Sequence, residues 1–192
     1  MEDGQAGLTG NFRLRACLAA DLRRARYIGG QLGDIRGARL ALAMLSPRFT
    51  PVLLCRLAHW LHLKKLGPLA KLTSLINFVL FGIEIAVRCP IGKGLFFPHT
   101  QGTVIGATVI GENATIYHGV TLGARDMDLG YCDDSRPTLG DDVLVGAGAK
   151  ILGGVIIGSG ARIGANALVM KPVPAGAHVR APLGEIIAAD RP

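Results

Sequence analysis

Six aliphatic residues in the C-terminal half, Leu139, Val145, Ile151, Ile157, Ile163 and Val169, recur at a fixed interval of six. Val143, Ala149, Val155, Ala161, Ala167 and Val173 keep the same interval two places earlier in phase. Gly140, Gly146, Gly158 and Gly164 directly follow four of the first set. This period is neither the 3.6 of a helix nor the two of a strand. It is the spacing of hexapeptide repeats, in which each repeat is a short strand and turn on one flat face of a parallel β-helix. The aliphatic side chain then points into the coil, and the glycine is expected to take a tight left-handed backbone at the corner.

An earlier block keeps the interval in Val104, Ile110, Ile116 and Leu122, with Gly111 and Gly123 in the matching place. Ile91 and Phe97, with Gly92, begin the series one step out of phase, which predicts an imperfect first coil. Between Leu122 and Leu139 the interval is 17, and the polar segment ARDMDLGYCDDSRP brings no inward aliphatics. This segment, 124–137, reads as a loop extruded from a coil corner, a usual place for function. A glycine-rich sandwich with strands in chance register is the competing architecture, but ten aliphatics hold phase over two blocks. The expected chain is mainly β: a helical region over 1–83, a β-helix over 84–180 and a tail over 181–192.

The 192 residues suffice for one large domain or two small ones. Charged residues are 18% against 49% hydrophobic, so extensive burial or an oligomer interface is expected. The formal charge of +7 suits nucleic acid, a membrane surface or a phosphorylated cofactor. No Lys/Arg cluster is interleaved with aromatics, so nucleic acid is the weakest of the three. Cys17, Cys55, Cys89 and Cys132 are scattered without a CxxC pair. They suggest neither a disulfide framework nor a metal site, and a reducing compartment fits. Cys132 lies in the polar loop with no adjacent base and reads as incidental.

The N-terminus, MEDGQAGLTGNFRLR, lacks the apolar core of a signal peptide, so a cytoplasmic location is expected. Helical patterning runs over 13–27, 37–46, 51–66 and 68–81, with Pro51 in a first turn, Gly67 at a helix end and Pro68 opening the next element. The uncharged run LTSLINFVLFGI has 12 residues, well short of the ~20 needed to cross a bilayer. A basic face with Arg56, Lys64, Lys65 and Lys71 has two readings. It touches anionic lipid, or it is a solvated face whose apolar side packs on the β-helix or a second subunit. The solvated face is the commoner arrangement.

RLAHWLHLKKLGPLAKLTSLINFVLFGIEI leads directly into the first coil; FFPHTQGTVIG, ATIYHGVTLG, PTLGDDVLVGAGAKILG and ARIGANALVMKPVP follow in order. Over 50–175 these segments resemble the serine acetyltransferases, particularly the short bacterial form; residues 1–35 take no part. The resemblance implies a left-handed coil, a homotrimer or multiple of trimers, acetyl-CoA as co-substrate, and L-serine as the small-molecule acceptor, as in cysteine biosynthesis. Handedness rests on the resemblance, since left-handed crossovers defy the usual rule.

Moving acetyl from a thioester to an alcohol needs a base for the hydroxyl proton, a donor to the developing oxyanion and a slot for the thioester. Among the histidines, His59 and His62 lie three apart on a predicted helix and suit packing or capping, and His178 suits the surface. His99 interrupts an aliphatic-rich coil where the family carries its general base, so the resemblance implies that it deprotonates the acceptor. A corner histidine bonded to a carbonyl is the plainer reading. Glu84 falls where the family has an aspartate orienting that histidine; a carboxylate there would hold one imidazole tautomer. His118 stands where the serine enzymes usually carry other residues and some polysaccharide acetyltransferases carry histidine. Acceptor binding, a second base and a structural corner are all open to it.

The resemblance also places the oxyanion-stabilising N–H at Ala124, where the family usually has glycine, and the pantetheine groove at Ala147 and Ala165. Arg162 replaces a family lysine near the nucleotide phosphates, with Lys150 and Lys171 as further phosphate candidates; a solubilising edge role is the rival for each. On the acceptor side, Pro98 stands in place of an acidic residue, and Ser135, Arg136 and Pro137 in place of an Arg-His pair before proline. Arg136 is the surviving partner for a substrate carboxylate, and Asp34 is a loose counterpart of an amine-gripping aspartate. An ammonium that lost two such carboxylates would bind less well by about 1–3 kcal/mol each. Three functions follow: O-acetylation of serine, O-acetylation of a sugar hydroxyl near the membrane, or a catalytically silent scaffold. The pairing of His99 with Glu84 speaks against the scaffold.

Overall fold

Strands of two or three residues stack in parallel on three faces of a prism in the computed structural model, which describes residues 12–31, 37, 42–128 and 130–185. The first face carries β1 (Ile83–Ile85), β2 (Thr103–Ile105), β5 (Thr121–Gly123), β8 (Lys150–Leu152) and β11 (Leu168–Val169), in that order. The second carries β3 (Val109–Ile110), β6 (Thr138–Leu139) and β9 (Ile156–Ile157). The third carries β4 (Thr115–Ile116), β7 (Leu144–Val145), β10 (Arg162–Ile163) and β12 (His178–Val179).

The six-residue series becomes three inward ladders. Ile85, Ile105, Leu122, Ile151 and Val169 pair rung to rung on the first face. Ile91, Ile110, Leu139, Ile157 and Val173 do so on the second, and Ile116, Val145 and Ile163 on the third. All are buried, and removing such a side chain from water is worth about 1.5–3 kcal/mol.

Two expectations need correction. Val104 points outward and Ile105 fills the core in its place. The reason is local spacing. Phe96 pairs with Thr115 and Val104 with Thr121, so the chain takes eight steps where the next coil takes six. Two additional residues thus widen the corner that holds Pro98–Gly102. The repeat glycines also act differently from the expected left-handed turn. A Cβ on Gly146 would lie 2.7 Å from Ala165 N, and one on Gly158 2.4 Å from Ala175 N, so the adjacent coil's backbone excludes a side chain. The left-handed corner positions belong to other residues, among them Gly119, Gly148, Asn113, Asp142 and Asn166.

Among the described residues, α1 (Leu14–Ile28), α2 (Thr50–Leu63) and α3 (Gly67–Phe81) precede the prism. Pro51 and Pro68 sit in the first turns of α2 and α3, where a missing N–H costs nothing. Gly67 starts α3 and does not end α2; the left-handed residue between the helices is Lys65. Of the helix expected over 37–46, residues 42–44 are helical and 38–41 lie outside the described residues, as do Asp34 and the end of the tail.

Asp21 of α1 and Arg56 of α2 are buried and joined at 2.8 and 3.0 Å. Arg56 also donates to the carbonyls of Ile91 and Gly92, and Asp21 accepts from Leu95 N at 2.9 Å. Arg56 is therefore a bolt between helices and first coil, not part of a basic surface. Arg24, one turn along α1, donates to Gly94 O, Ala114 O and Thr115 Oγ1. In α3 the polar side faces the protein: Thr73 and Asn77 are buried while most of the large apolar side chains face outward. The apolar side, expected against the β-helix or a second subunit, is turned away from the β-helix.

Candidate active site

The widened corner runs from the third face to the first and carries His99, whose imidazole is exposed. Three contacts pin this corner to the junction of α3 and β1. The Thr100 hydroxyl donates to Phe81 O at 2.7 Å, Gly102 N donates to Gly82 O at 2.9 Å, and the Gln101 side chain lies over Gly82. Gly82 ends α3 in a left-handed conformation (φ 62°), and a Cβ there would meet Gln101 Oε1 at 2.1 Å. The left-handed backbone favours glycine, and a Cβ there would push the Gln101 side chain aside.

Glu84 follows two residues later on β1, its side chain outward, paired in the strand with Val104. It makes no hydrogen bond or ion pair with His99 among the described residues. The ring that His99 meets is His118, edge to face, with centroids 5.6 Å apart and planes at 81°. His118 occupies the equivalent corner of the next coil. Up that corner, Gly119 N donates to Gln101 O, Gly148 N to His118 O and Asn166 N to Ala147 O. Gln101, His118, Ala147 and Ala165 therefore stand in one column. The two alanines leave a strip without bulk leading away from the imidazoles, and a larger side chain there would fill it.

Cations flank the strip. Lys150, three residues past Ala147 on the first face, folds its ammonium onto Gly119 O beside His118. Arg162, three residues before Ala165, is exposed on the third face between Leu144 and His178. Lys171 lies at the far end, around an open hollow with Leu168, Met170 and Val179. Ala124 follows β5, and its N–H makes no hydrogen bond among the described residues.

Arg136 lies elsewhere. Its loop leaves the corner between first and second faces, and it folds back onto the prism instead of standing away from it. Arg136 donates to Asp128 Oδ2 at 2.9 Å, to Asp128 O at 3.1 Å and to Gly106 O at 3.1 Å, with its guanidinium 3.7 Å from the centre of the Tyr131 ring. Arg88 covers the same ring at 4.8 Å, and the phenol donates to Ala107 O at 2.9 Å. The Cys132 N–H, with the Ser135 hydroxyl and Arg136, holds the Asp128 carboxyl below its ordinary range. Gly154 lets the loop approach: a Cβ there would sit 1.9 Å from Asp134 O. One chain thus lines up His99, His118, Ala147 and Ala165 along one edge with Lys150 and Arg162 beside it, leaves Glu84 on β1 without a bond to His99, and puts Arg136 on another edge. Thr100 and Asp128, which hold these groups, were not singled out in the sequence.

The bacterial transferase hexapeptide family (six repeats) matches residues 136–171. The serine acetyltransferase of Mycobacterium tuberculosis is 42% identical over 171 residues, covering 83% of this chain and 73% of its own length. This chain belongs to the serine acetyltransferase family. The prism is the family's left-handed parallel β-helix preceded by helices. The crystal structure of Neisseria gonorrhoeae serine acetyltransferase in complex with serine superposes with a TM-score of 0.73 at 30% identity, covering 91% of this chain and 69% of that one. A serine acetyltransferase complex with CoA gives 0.70 at 29%, covering 86% of this chain and 65% of that one.

Proposed function

We propose that the protein transfers acetyl from acetyl-CoA to the hydroxyl of L-serine, with His99 as general base. The observation that carries this reading is the exposed imidazole at the foot of the Ala147–Ala165 strip. Such a strip suits a pantetheine arm, whose length would take the nucleotide phosphates away from Lys150 and towards Arg162. His99 takes the hydroxyl proton as the serine oxygen–carbon bond forms. The Ala124 N–H donates to the resulting oxyanion. The carbon–sulfur bond then breaks, and the imidazolium returns its proton to the departing thiolate. The chemistry suits a trimer, with each site between neighbouring coils, because the loop of a second protomer supplies the Arg136 edge that one chain keeps away from His99. A cytoplasmic location fits this reading.

Thiol release from acetyl-CoA, followed with serine, homoserine and nucleotide sugars in parallel, tests it. Serine is expected to be turned over fastest; a preference for sugars overturns the acceptor. His99→Ala is expected to lower kcat about 10²–10⁴-fold with CoA affinity intact, and near-native turnover would remove His99 from its role.

A further inference from the structure

The helix α3 is built inside out. Ala70, Thr73 and Asn77 are buried; Thr73 Oγ1 donates to Leu69 O, Ser74 Oγ to Ile85 O and Asn77 Nδ2 to Pro51 O, while Asn77 Oδ1 has no partner among the described residues. Leu69, Leu72, Leu75, Ile76, Phe78, Val79 and Leu80 are instead exposed, from 40% at Ile76 to 69% at Val79. At 100° per residue, these seven fill the whole outer side of the helix. Exposed Leu63 and Leu66 continue the surface across the α2–α3 turn. A soluble helix shows the opposite arrangement, and a contiguous apolar surface of this kind marks a contact.

Charge decides what covers it. No Asp or Glu occurs between Asp34 and Glu84, whereas Arg48, Lys64, Lys65 and Lys71 in that span are exposed. Lys71 stands two turns from Phe78 at the edge of the apolar arc, and Lys64 and Lys65 stand at the hairpin tip beside Leu66. A second copy laid symmetrically on this face would bring lysine to lysine with no carboxylate between them. We propose that the face rests on an anionic phospholipid surface, with the leucines, Phe78 and Val79 in the acyl boundary and the lysines at the headgroups. The 15 residues of α3 span ~22 Å, less than the ~30 Å of a bilayer's hydrocarbon. The helix therefore lies in the plane of the interface. This inference does not depend on the acceptor.

Flotation of the full-length protein with vesicles tests it. Binding to phosphatidylcholine–phosphatidylserine vesicles but not to phosphatidylcholine alone is expected, weakening as salt rises. The double variant Leu72→Glu, Val79→Glu is expected to lose at least about tenfold in partitioning, and Lys71→Ala about fivefold. None of these side chains packs inward, so native circular dichroism and acetyl transfer are expected to persist. A native protein that ignores anionic vesicles overturns the proposal, as does a double variant that floats like native. A double variant that instead loses subunits in sedimentation, with no vesicle binding by the native protein, assigns the face to a second copy and equally overturns it.

Discussion

At the scale of single residues, Thr100 has the least conspicuous part and a specific consequence. Its hydroxyl holds the corner bearing His99 to Phe81 O at 2.7 Å, at the point where the helices hand over to β1 and Glu84. Thr100→Val keeps the shape and leaves a main-chain carbonyl without its donor, a loss of about 1–3 kcal/mol. The corner then loses its fixed position, and kcat is expected to fall about tenfold or more with KM for acetyl-CoA unchanged. Thr100→Ser is expected to restore it, which a purely structural defect would not show. His99 stood out as the candidate base because its motif resembles the family's. Thr100 did not, since its partner is a carbonyl 19 residues away and no side-chain type announces such a bond. Arg136 was legible as a charge, but the Asp128 and Tyr131 contacts that occupy it come from a loop fold without periodicity.

At the scale of elements, patterning and proline positions placed α1, α2 and α3 to within a few residues, yet neither could say which face turned inward. Burying Arg56 needed Asp21, 35 positions away on another helix. Removing one partner leaves the other charge buried, so Asp21→Ala is expected to destabilise the protein by about 3–5 kcal/mol, read as a lowered midpoint in urea. The same interface carries a pH dependence. His59 of α2 is buried, and its Nδ1–H donates to Val87 O at 2.8 Å while Nε2 has no hydrogen-bond partner among the described residues. Burial pushes this imidazole below its ordinary range of about 6.5; Arg56 and His62 add to the effect and the Val87 bond opposes it. The unfolded chain then binds the proton more readily than the folded one. The contribution of neutral His59 is complete above the unfolded value and is lost as pH falls towards the lower folded value. Urea midpoints measured from pH 7.5 to 5 should decline, and His59→Phe should flatten that decline. Equal slopes would remove His59 as its source.

At the scale of the whole molecule, the interval of six made the prism legible because each rung repeats the same inward burial, and a period survives where single contacts do not. What it concealed was the break in the period: eight steps in place of six lift His99 out of the wall. The period also has no term for a neighbour. His99 and Arg136 occupy different edges of one prism, so a site using both needs two chains related by rotation. Shared sites have a signature that single-chain sites lack. His99→Ala and Arg136→Gln proteins, each inactive with serine, are unfolded together and reassembled. In mixed assemblies of the proposed trimer, some interfaces pair an intact His99 from one protomer with an intact Arg136 from its neighbour. Random mixing makes this roughly a quarter of all sites, and serine-dependent thiol release should recover to about that fraction of native. Sites contained within one chain would stay silent at every mixing ratio, because each would carry one of the two substitutions.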